Sequence, residues 1–218
     1  MNLIKPSYEI LTEINGDRIL KNIEKAGRTC YKSEDKITKD SAIKFVNMVT
    51  KRGHHSVIEH ESISINFICD RGVTHEMVRH RLCAYSQEST RYCNYKGGVA
   101  FIIPPWVNIE PGEYNYESIF DTLSFSQQLW LKSMLDSESS YKNLLLEGWS
   151  PQQARSVLPN SLKTEIVWTA NIREWRHIFN LRCSKAAHPQ IKEVMFPALK
   201  DLNEQIPVLF EDIYEEYK

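Results

Sequence analysis

The sequence predicts an α+β fold in which helices and strands are mixed within a single domain. Segments with helical spacing of apolar residues are interspersed with short segments in which every second residue is apolar. No regular strand–helix–strand rhythm is present, which argues against a doubly wound parallel sheet. The length of 218 residues is sufficient for one domain with its own core. We therefore expect a single domain over residues 1–218.

The apolar spacing places the elements in chain order. Strands are predicted where apolar residues alternate or form short runs between turn residues, over 7–14, 61–69, 99–106 and 161–170. Helices are predicted where apolar residues recur every three or four positions, over 16–30, 39–53, 72–82, 114–147, 150–159, 171–183 and the remainder to Lys218.

The same patterns predict which side chains face the core. On the helices, the inward-facing residues are expected to be Ile19, Leu20, Ile23, Ile43, Val46, Met48 and Val49. On the strands, they are expected to be Ile63, Ile65, Phe67, Cys69, Leu162, Ile166 and Trp168. Ser150 and Gln153 have the spacing of a capping box, which fixes a short helix carrying Arg155. Asn171 is expected to begin the next helix.

The charge balance excludes some classes of function. The 27 basic and 28 acidic residues leave no global field that would attract nucleic acid or an anionic membrane, so any anion site must be local. No apolar run approaches the roughly 18 to 20 residues of a membrane helix, and the N-terminus does not resemble a signal peptide. The 5 cysteines lack C-x-x-C spacing and are expected to be free thiols. We expect a cytoplasmic protein.

Arginines are concentrated in two patches, each with one histidine, His80 or His177. The first patch consists of Arg79, Arg81 and Arg91. The second consists of Arg173, Arg176 and Arg182, with Arg155 nearby in sequence. Arginine binds phosphate and carboxylate bidentately, and the hydroxyl groups at Ser86, Ser89 and Thr90 are suited to the same ligands. The patches therefore indicate an anion pocket that needs no glycine-rich loop, or alternatively a plain network of ion pairs.

Histidines form a separate cluster in "GHHSVIEH", residues 53–60. His54, His55, Glu59 and His60 lie close together there, which is one pattern of metal ligands. The spacing is not H-E-x-x-H and no cysteine pair accompanies it, so we expect no metal site.

Five blocks in order resemble the flavin-dependent thymidylate synthases. Arg79-His80-Arg81, then seven residues and Ser89, resembles the family's Arg-His-Arg-(seven)-Ser motif, and Arg91-Tyr92 extends the match. The other blocks are "AGRTCY" (26–31), "GHHSVIEH" (53–60), "ARSVLP" (154–159) and "WTANIREWRHIFNLR" (168–182). The ordered set spans nearly the whole chain and is far more specific than any one motif.

The resemblance implies reductive methylation of dUMP to dTMP. Methylenetetrahydrofolate would supply the carbon, FAD would carry the hydride, NADPH would reduce the flavin, and no protein nucleophile would be needed. It also implies a small, mainly antiparallel sheet and a homotetramer whose active sites are shared between subunits. Its expected partners are dUMP, folate and NADPH, with no nucleic acid and no membrane.

The resemblance also implies roles for individual residues. The residues expected to bind dUMP are Glu76, Arg79, Gln87, Glu88, Ser89, Thr90, Arg91, Arg155 and Arg182. The residues expected to hold FAD are His54, Ser56, Arg79, His80, Arg81, Gln87, Asn171, Arg173 and His177. Arg182 would be catalytic, stabilising negative charge that develops on the pyrimidine. Ser89 would position the nucleotide rather than attack it, because its neighbours are arginines and not a base.

Some positions depart from the family pattern. Ala84, Ser86 and Gln87 stand where serine, asparagine and glutamate are common, and His177 replaces a frequent asparagine. The pair His188-Pro189 takes the place of Gln-Trp, which affects the expected folate or flavin-ring contacts.

Three alternative functions stay open on the sequence. A metal-dependent nucleotide phosphohydrolase would use His54, His55, Glu59, His60 and His80 as ligands. An RNA-binding module would combine Arg79, Arg81 and Arg91 with stacking on Tyr85, Tyr92 and Tyr95. A family member that had lost folate chemistry would only oxidise NADPH.

Overall fold

The computed structural model describes residues 1–117 and 123–218, and it confirms the predicted α+β class. Contacts group the chain into two compact units. Unit 1 comprises Met1–Ser7, Phe67–Arg79 and Ser86–Ile166, and unit 2 comprises Tyr8–Asn66, His80–Tyr85 and Val167–Lys218. The single domain over residues 1–218 stays a prediction.

The helices and strands have the following bounds within the described residues. The strands are β1 (Asn2–Ile4), β2 (Ser7–Ile10), β3 (Ser62–Asp70), β4 (Ala84–Gln87), β5 (Ala100–Ile102), β6 (Gly112–Glu113) and β7 (Lys163–Asn171). The α-helices are α1 (Gly16–Thr29), α2 (Ser41–Lys51), α3 (Arg71–Met77), α4 (Phe125–Leu146), α5 (Pro151–Ala154), α6 (Ile172–Arg182), α7 (Pro189–Gln205) and α8 (Pro207–Tyr217). Short 3₁₀ turns cover Glu34–Lys36, His55–His60 and Arg155–Val157.

The strands form two small sheets. The larger has the order β2-β3-β7-β4, and its long central strands β3 and β7 alternate buried and partly exposed positions. The smaller has the order β5-β1-β6, in which β1 pairs parallel with β5 and antiparallel with β6. Leu3 of β1 lies opposite Phe101 of β5, and both side chains are fully buried.

In unit 2 the helix faces follow the predicted spacing with one correction. Helix α1 buries Ile19, Leu20 and Ile23 as predicted. Helix α2 buries Ala42, Val46 and Val49, a stripe with i, i+4, i+7 spacing. The prediction that Ile43 and Met48 face inward is wrong, because both lie off this stripe and are 55% and 38% exposed.

The predicted strand faces are correct. The side chains of Ile63, Ile65, Phe67, Cys69, Leu162, Ile166 and Trp168 are all buried. The alternation therefore predicted the buried faces of β3 and β7 correctly, because every second residue of a strand points to the same face.

The core of unit 1 is formed by α4 against the small sheet. Leu131, Leu135 and Tyr141 of α4 belong to the same apolar cluster as Leu3 and Phe101. The predicted start of this helix at residue 114 is wrong. A capping box between Ser124 and Gln127 begins the helix at Phe125, while residues 112–113 form β6. The part of the prediction over residues 118–122, including Phe120, lies outside the described residues.

Four other predicted segments need correction. The helix predicted over 72–82 ends at Met77, and residues 84–87 form strand β4, in which Tyr85 packs against Trp168 at a centroid distance of 5.5 Å. The strands predicted over 7–14 and 99–106 are shorter, covering 7–10 and 100–102. The Ser150–Gln153 capping box is confirmed, but α5 ends at Ala154 and Arg155 begins a 3₁₀ turn.

The described residues contain no helix that is both long and apolar enough to cross a bilayer. All 5 cysteines are free thiols, as predicted.

Candidate functional site

Helix α6 supplies one polar face to the candidate site. Asn171 caps its N-terminus by accepting a hydrogen bond from the backbone N–H of Glu174, at 2.9 Å. The face that carries Trp175 and Ile178 is fully buried, and the Trp175 indole N–H donates to the Ile63 carbonyl at 2.9 Å. This anchoring fixes the helix by its apolar side and leaves its other side available for polar groups.

A cavity of about 1050 Å³ lies along this polar side within unit 2. Helix α6 contributes Arg173, Glu174, Arg176, His177 and Asn180 to its lining. The 3₁₀ turn and β3 contribute His55, Glu59 and Ser62, and the segment before β4 contributes Arg81, Leu82, Cys83 and Ala84. Strand β7 completes the lining with Thr169, Ala170 and Asn171. The volume is at the upper end of the range for small-molecule and cofactor sites.

The cavity is suited to an anionic ligand. The N-terminus of α6, an 11-residue helix, opens at Asn171, where the backbone dipole favours negative charge. Arg81 is exposed and has no hydrogen-bond or ion-pair partner among the described residues. Arg173 pairs with Glu59 at 2.5 Å, but both side chains are largely exposed, so the pair contributes little stability and can exchange for a ligand.

Arg176 differs from the other cationic groups of this wall. The residue is 8% exposed, and its guanidinium donates twice to the Asp212 carboxylate and also to the Leu209 carbonyl. This bidentate pair lowers the pKa of Asp212 and connects α6 to α8. The sequence grouped Arg176 with the anion-binding arginines, whereas its contacts in the structure are those of an internal structural pair.

His80 lies buried beside the cavity and is tightly fixed. Its ring packs against Trp168 at a centroid distance of 5.4 Å and against His177 at 5.8 Å. Its Nε2 accepts a hydrogen bond from Nε of Arg182 at 3.0 Å, and its Nδ1 lies 3.5 Å from Oε1 of Glu174. Burial, together with the positive charge of Arg182, lowers the pKa of His80 to about 4. The ring is therefore neutral near pH 7.

The proton of the neutral ring can be assigned from its partners. Arginine can only donate, so Nε2 must carry the lone pair and Nδ1 the hydrogen, which points toward Glu174. Burial raises the pKa of Glu174.

This arrangement bears on metal binding. Potential ligand atoms of His80, Glu174 and His177 lie within 4.8 Å of one another, the one group of three found in the described part of the chain. A metal ion on Nδ1 of His80 would require the ring hydrogen to be on Nε2 instead. Nε2 could then no longer accept the hydrogen bond from Arg182. The cluster is thus poorly suited to a metal, and the histidines of residues 54–60 are not part of it. The expectation that the protein binds no metal stays a prediction.

The loop after β4, in unit 1, has its polar groups paired internally. The Gln87 amide N–H groups donate to the hydroxyls of Thr74 and Thr164, at 3.0 and 3.3 Å. Glu88 accepts from the Tyr95 hydroxyl at 2.7 Å and from Lys163 at 3.1 Å. These contacts fix the two residues before Ser89.

The residues that follow are held by Arg155 and by local turns. Arg155 donates to the buried hydroxyl of Thr90 at 2.9 Å. The hydroxyl of Ser89 accepts from the backbone N–H of Arg91 at 3.3 Å. The Arg91 guanidinium is exposed and lies over the ring of Tyr92. Arg91 therefore remains available to a ligand.

A family model described as "Thymidylate synthase complementing protein" matches residues 13–208. A relative named flavin-dependent thymidylate synthase, from Corynebacterium efficiens, is 32% identical, with 94% of this chain and 83% of that protein covered. The chain belongs to the flavin-dependent thymidylate synthase family. It is accordingly a FAD-dependent enzyme of dTMP synthesis from dUMP.

Another relative agrees with this assignment, and two solved structures share the fold. A flavin-dependent thymidylate synthase from Mycobacterium sp. (strain JLS) is 32% identical over 96% of this chain and 85% of that protein. The fold matches a UMP/dUMP methylase, PolB, from Streptomyces cacaoi, with TM-score 0.76, 23% identity, and 100% of this chain and 98% of that chain covered. It also matches Thymidylate Synthase X from Helicobacter pylori, solved with FAD and dUMP, with TM-score 0.75, 18% identity, and coverage of 96% and 99%.

The structure brings together part of the predicted FAD set of this family. Arg81, Asn171, Arg173 and His177 line the cavity, and His80 lies behind them. His54 and Ser56 are exposed at the 3₁₀ turn and do not line it. Arg79 and Gln87, predicted for both ligands, belong to unit 1.

The predicted dUMP set is placed as follows. Unit 1 contains Glu76, Arg79, Gln87, Glu88, Ser89, Thr90, Arg91 and Arg155. Unit 2 contains Arg182, which is half-buried. These residue roles stay predictions.

Sequence reasoning missed three polar residues with well-defined contacts. The contact of Glu174 with His80 was not predicted, because the position three residues after Asn171 is that of an ordinary capping residue. Lys163, which pairs with Glu88, is 75 residues distant in sequence and carried no local signal. Asn180 could have been found, because it follows Arg173 and His177 on the same helical face.

Proposed function

We propose that the chain catalyses reductive methylation of dUMP to dTMP, with methylenetetrahydrofolate as carbon donor, FAD as hydride carrier and NADPH as reductant. The observation that carries this proposal is the cavity of unit 2, where Arg81 and Arg173 lie beside the N-terminus of α6. Family membership supplies the coarser activity, and the cavity supplies a place for a large anionic cofactor.

The donor set of the cavity fits FAD. Arg81, Arg173 and the α6 N-terminus are suited to its diphosphate, and Asn171, His177 and Asn180 offer hydrogen bonds to neutral polar groups. When bound, FAD supplies hydride-transfer chemistry. The lining residues of the chain would hold and orient it.

The dUMP-binding residues are proposed to be those predicted from the family motif. Arg91 and Arg155 supply cations for the phosphate, and Ser89 and Thr90 supply hydroxyl groups. Arg182 stabilises the negative charge that develops on the pyrimidine as N3 loses its proton. Active sites shared between the subunits of a homotetramer would assemble these groups, so one chain need not supply a complete site.

The proposed route needs no protein nucleophile. Ser89 makes its hydrogen bond to a backbone N–H, and no histidine or carboxylate partner of its hydroxyl is found among the described residues. Cys83 lines the cavity, but burial raises the pKa of its thiol, which keeps the reactive thiolate scarce. Five free thiols are in keeping with the proposed cytoplasmic location.

The departure at His188-Pro189 motivates a second candidate, in which only NADPH oxidation is retained. His188 caps α7 by accepting from the Gln190 backbone N–H at 3.4 Å, and Pro189 occupies the first helical position. In this chain both residues thus serve to begin helix α7, at the position where the family has Gln-Trp.

Product analysis separates the two candidates. The purified protein is supplied with FAD, NADPH, dUMP and methylenetetrahydrofolate, and dTMP is measured by chromatography, with each component omitted in turn. The proposal expects dTMP only in the complete mixture. NADPH consumption without dTMP in that mixture would favour the second candidate, and neither activity would contradict both.

A further inference from the structure

The catalytic role proposed for Arg182 requires a defined orientation of its guanidinium. A fixed cation stabilises developing charge because it needs no reorganisation during the reaction, whereas a mobile side chain loses that advantage. Arg182 lies at the C-terminal end of α6 and is half-buried. Its Nε donates to Nε2 of His80 at 3.0 Å, which restricts the plane of the guanidinium.

His80 is built to accept this hydrogen bond. The residue is 6% exposed, and its ring packs against Trp168 and His177, with centroid distances of 5.4 and 5.8 Å. The Tyr85 hydroxyl donates to the backbone carbonyl of His80 at 2.7 Å, which fixes the backbone at the same residue. Both the ring and its attachment are therefore held in place.

Glu174 determines which ring nitrogen is available. The Glu174 carboxylate lies 3.5 Å from Nδ1 of His80, so it favours the tautomer with hydrogen on that atom. Nε2 is then left with a lone pair directed at Arg182. Glu174 is itself only 9% exposed and is held at the start of α6, because the Asn171 side chain accepts a hydrogen bond from its backbone N–H.

We infer that His80 is a positioning residue for Arg182, and that Glu174 sets the tautomer of His80 that this role needs. The inference rests on the proposed function of Arg182 and adds to it a buried Glu174–His80–Arg182 chain. His80 would act through Arg182, in addition to any contact with the cofactor.

Two substitutions of His80 separate the hydrogen bond from the packing. His80→Phe keeps an aromatic ring against Trp168 but removes the acceptor, whereas His80→Gln restores an acceptor oxygen. We expect turnover per bound flavin to fall about tenfold to 100-fold in His80→Phe, with a smaller change in KM for dUMP, because misorientation of a catalytic group mainly affects the transition state. His80→Gln should recover most of the loss.

A double-mutant cycle tests whether His80 acts through Arg182. Arg182→Lys retains a charge but lacks the Nε–H donor, and its residual rate permits measurement. Adding His80→Phe to Arg182→Lys should lower the rate by less than about threefold, since the hydrogen bond is already lost. If the two effects instead multiply, or if His80→Phe only weakens FAD uptake at unchanged turnover per bound flavin, the positioning role is wrong.

Failure of the proposed function would give a different pattern. If the native chain forms no dTMP, or if Arg182→Ala retains full turnover, the role of Arg182 itself is contradicted. If the native chain is active and Arg182→Ala is not, but both His80 variants are fully active, only the inference about His80 is overturned. Thermal melting and FAD titration of each variant verify that the fold is intact.

Discussion

Glu88 and Thr90 in the loop after β4 of unit 1 are paired within the protein, whereas Arg81 and Arg173 on the cavity wall of unit 2 are unpaired or only weakly paired within the described part of the chain. Around the loop, Glu88 is paired with Tyr95 and Lys163, and Thr90 is paired with Arg155. On the cavity wall, Arg81 has no partner among the described residues, and Arg173 has only an exposed one.

This difference indicates what each region's charges do. Paired, partly buried groups hold a backbone conformation, so their removal lowers stability. Exposed cations that line a cavity contribute little to stability and are available for a ligand. Substitutions in the two regions are therefore expected to separate effects on function from effects on folding, and four experiments test that expectation.

The largest effect is expected for Arg182→Ala. Loss of the cation that stabilises developing charge should lower dTMP formation by about 10²–10³-fold, the usual effect of removing one such group. Binding of FAD, measured by flavin absorbance, should remain. Lys185→Ala, a nearby exposed cation, is the matched control and should keep its activity. Equal losses in the two variants would show that general charge, and not Arg182, matters.

His80 is expected to make unit 2 sensitive to acid. Its pKa is lowered from 6.5 to about 4, so below pH 6.5 the unfolded chain binds a proton that the folded chain does not. The free energy of unfolding should therefore fall as the pH decreases from 6.5 to 4, by up to about 3 kcal/mol. Glu174, whose pKa is raised, acts with the opposite sign in the range just above 4.5.

The comparison with His80→Gln isolates this contribution. Urea unfolding of both proteins between pH 7 and pH 4 should show a steeper loss of stability in the native chain than in the variant. If the free energy of unfolding fell equally with pH in both proteins, burial would not keep His80 neutral. His80 would then not be the source of the acid sensitivity.

Glu88→Ala tests the stabilising pairs of unit 1. Lys163 bonds both Glu88 and Glu165, but the Glu88 side chain is 17% exposed and that of Glu165 is 47% exposed. Glu88→Ala should lower the free energy of unfolding by about 1–3 kcal/mol, because it leaves the Tyr95 hydroxyl without its acceptor. Glu165→Ala should cost less than about 1 kcal/mol. Urea titration at pH 7 measures both, and the reverse order would contradict the pairing argument.

The smallest effect is expected for Ser89→Ala. The serine hydroxyl accepts one backbone hydrogen bond, so its loss should reduce turnover less than about tenfold and leave stability nearly unchanged. Steady-state rates at saturating dUMP give the answer. A complete loss of turnover with intact dUMP binding would make Ser89 a nucleophile and would contradict the proposed route without a protein nucleophile.

The fold and the site differ in how far the sequence could predict them. Alternation in β3 and β7 and the caps at Ser150 and Asn171 were readable because they depend on neighbouring residues. The early end of α3 and strand β4 were not, since β4 is formed by pairing with a distant strand and by packing of Tyr85 on Trp168.

The same distinction holds at the site. Arg81, Asn171, Arg173 and His177 were predicted through family motifs, and the structure places them on one cavity. The partners that decide what arginines do could not be predicted: Asp212 for Arg176 lies 36 residues away in sequence, and His80 for Arg182 lies 102 residues away. Motifs identify the chemical groups, whereas tertiary contacts determine which of them are free to act.

The central claim, that the cavity of unit 2 holds FAD for chemistry on dUMP, is tested most directly by the visible spectrum of the purified protein. FAD is titrated first and dUMP second, with the native chain, Arg81→Ala, and Lys200→Ala as an exposed control outside the cavity. We expect flavin absorbance that shifts on adding dUMP, with FAD affinity about tenfold weaker in Arg81→Ala only. A native chain that takes up no FAD, or an Arg81→Ala variant that binds FAD as tightly as the native chain, would contradict it.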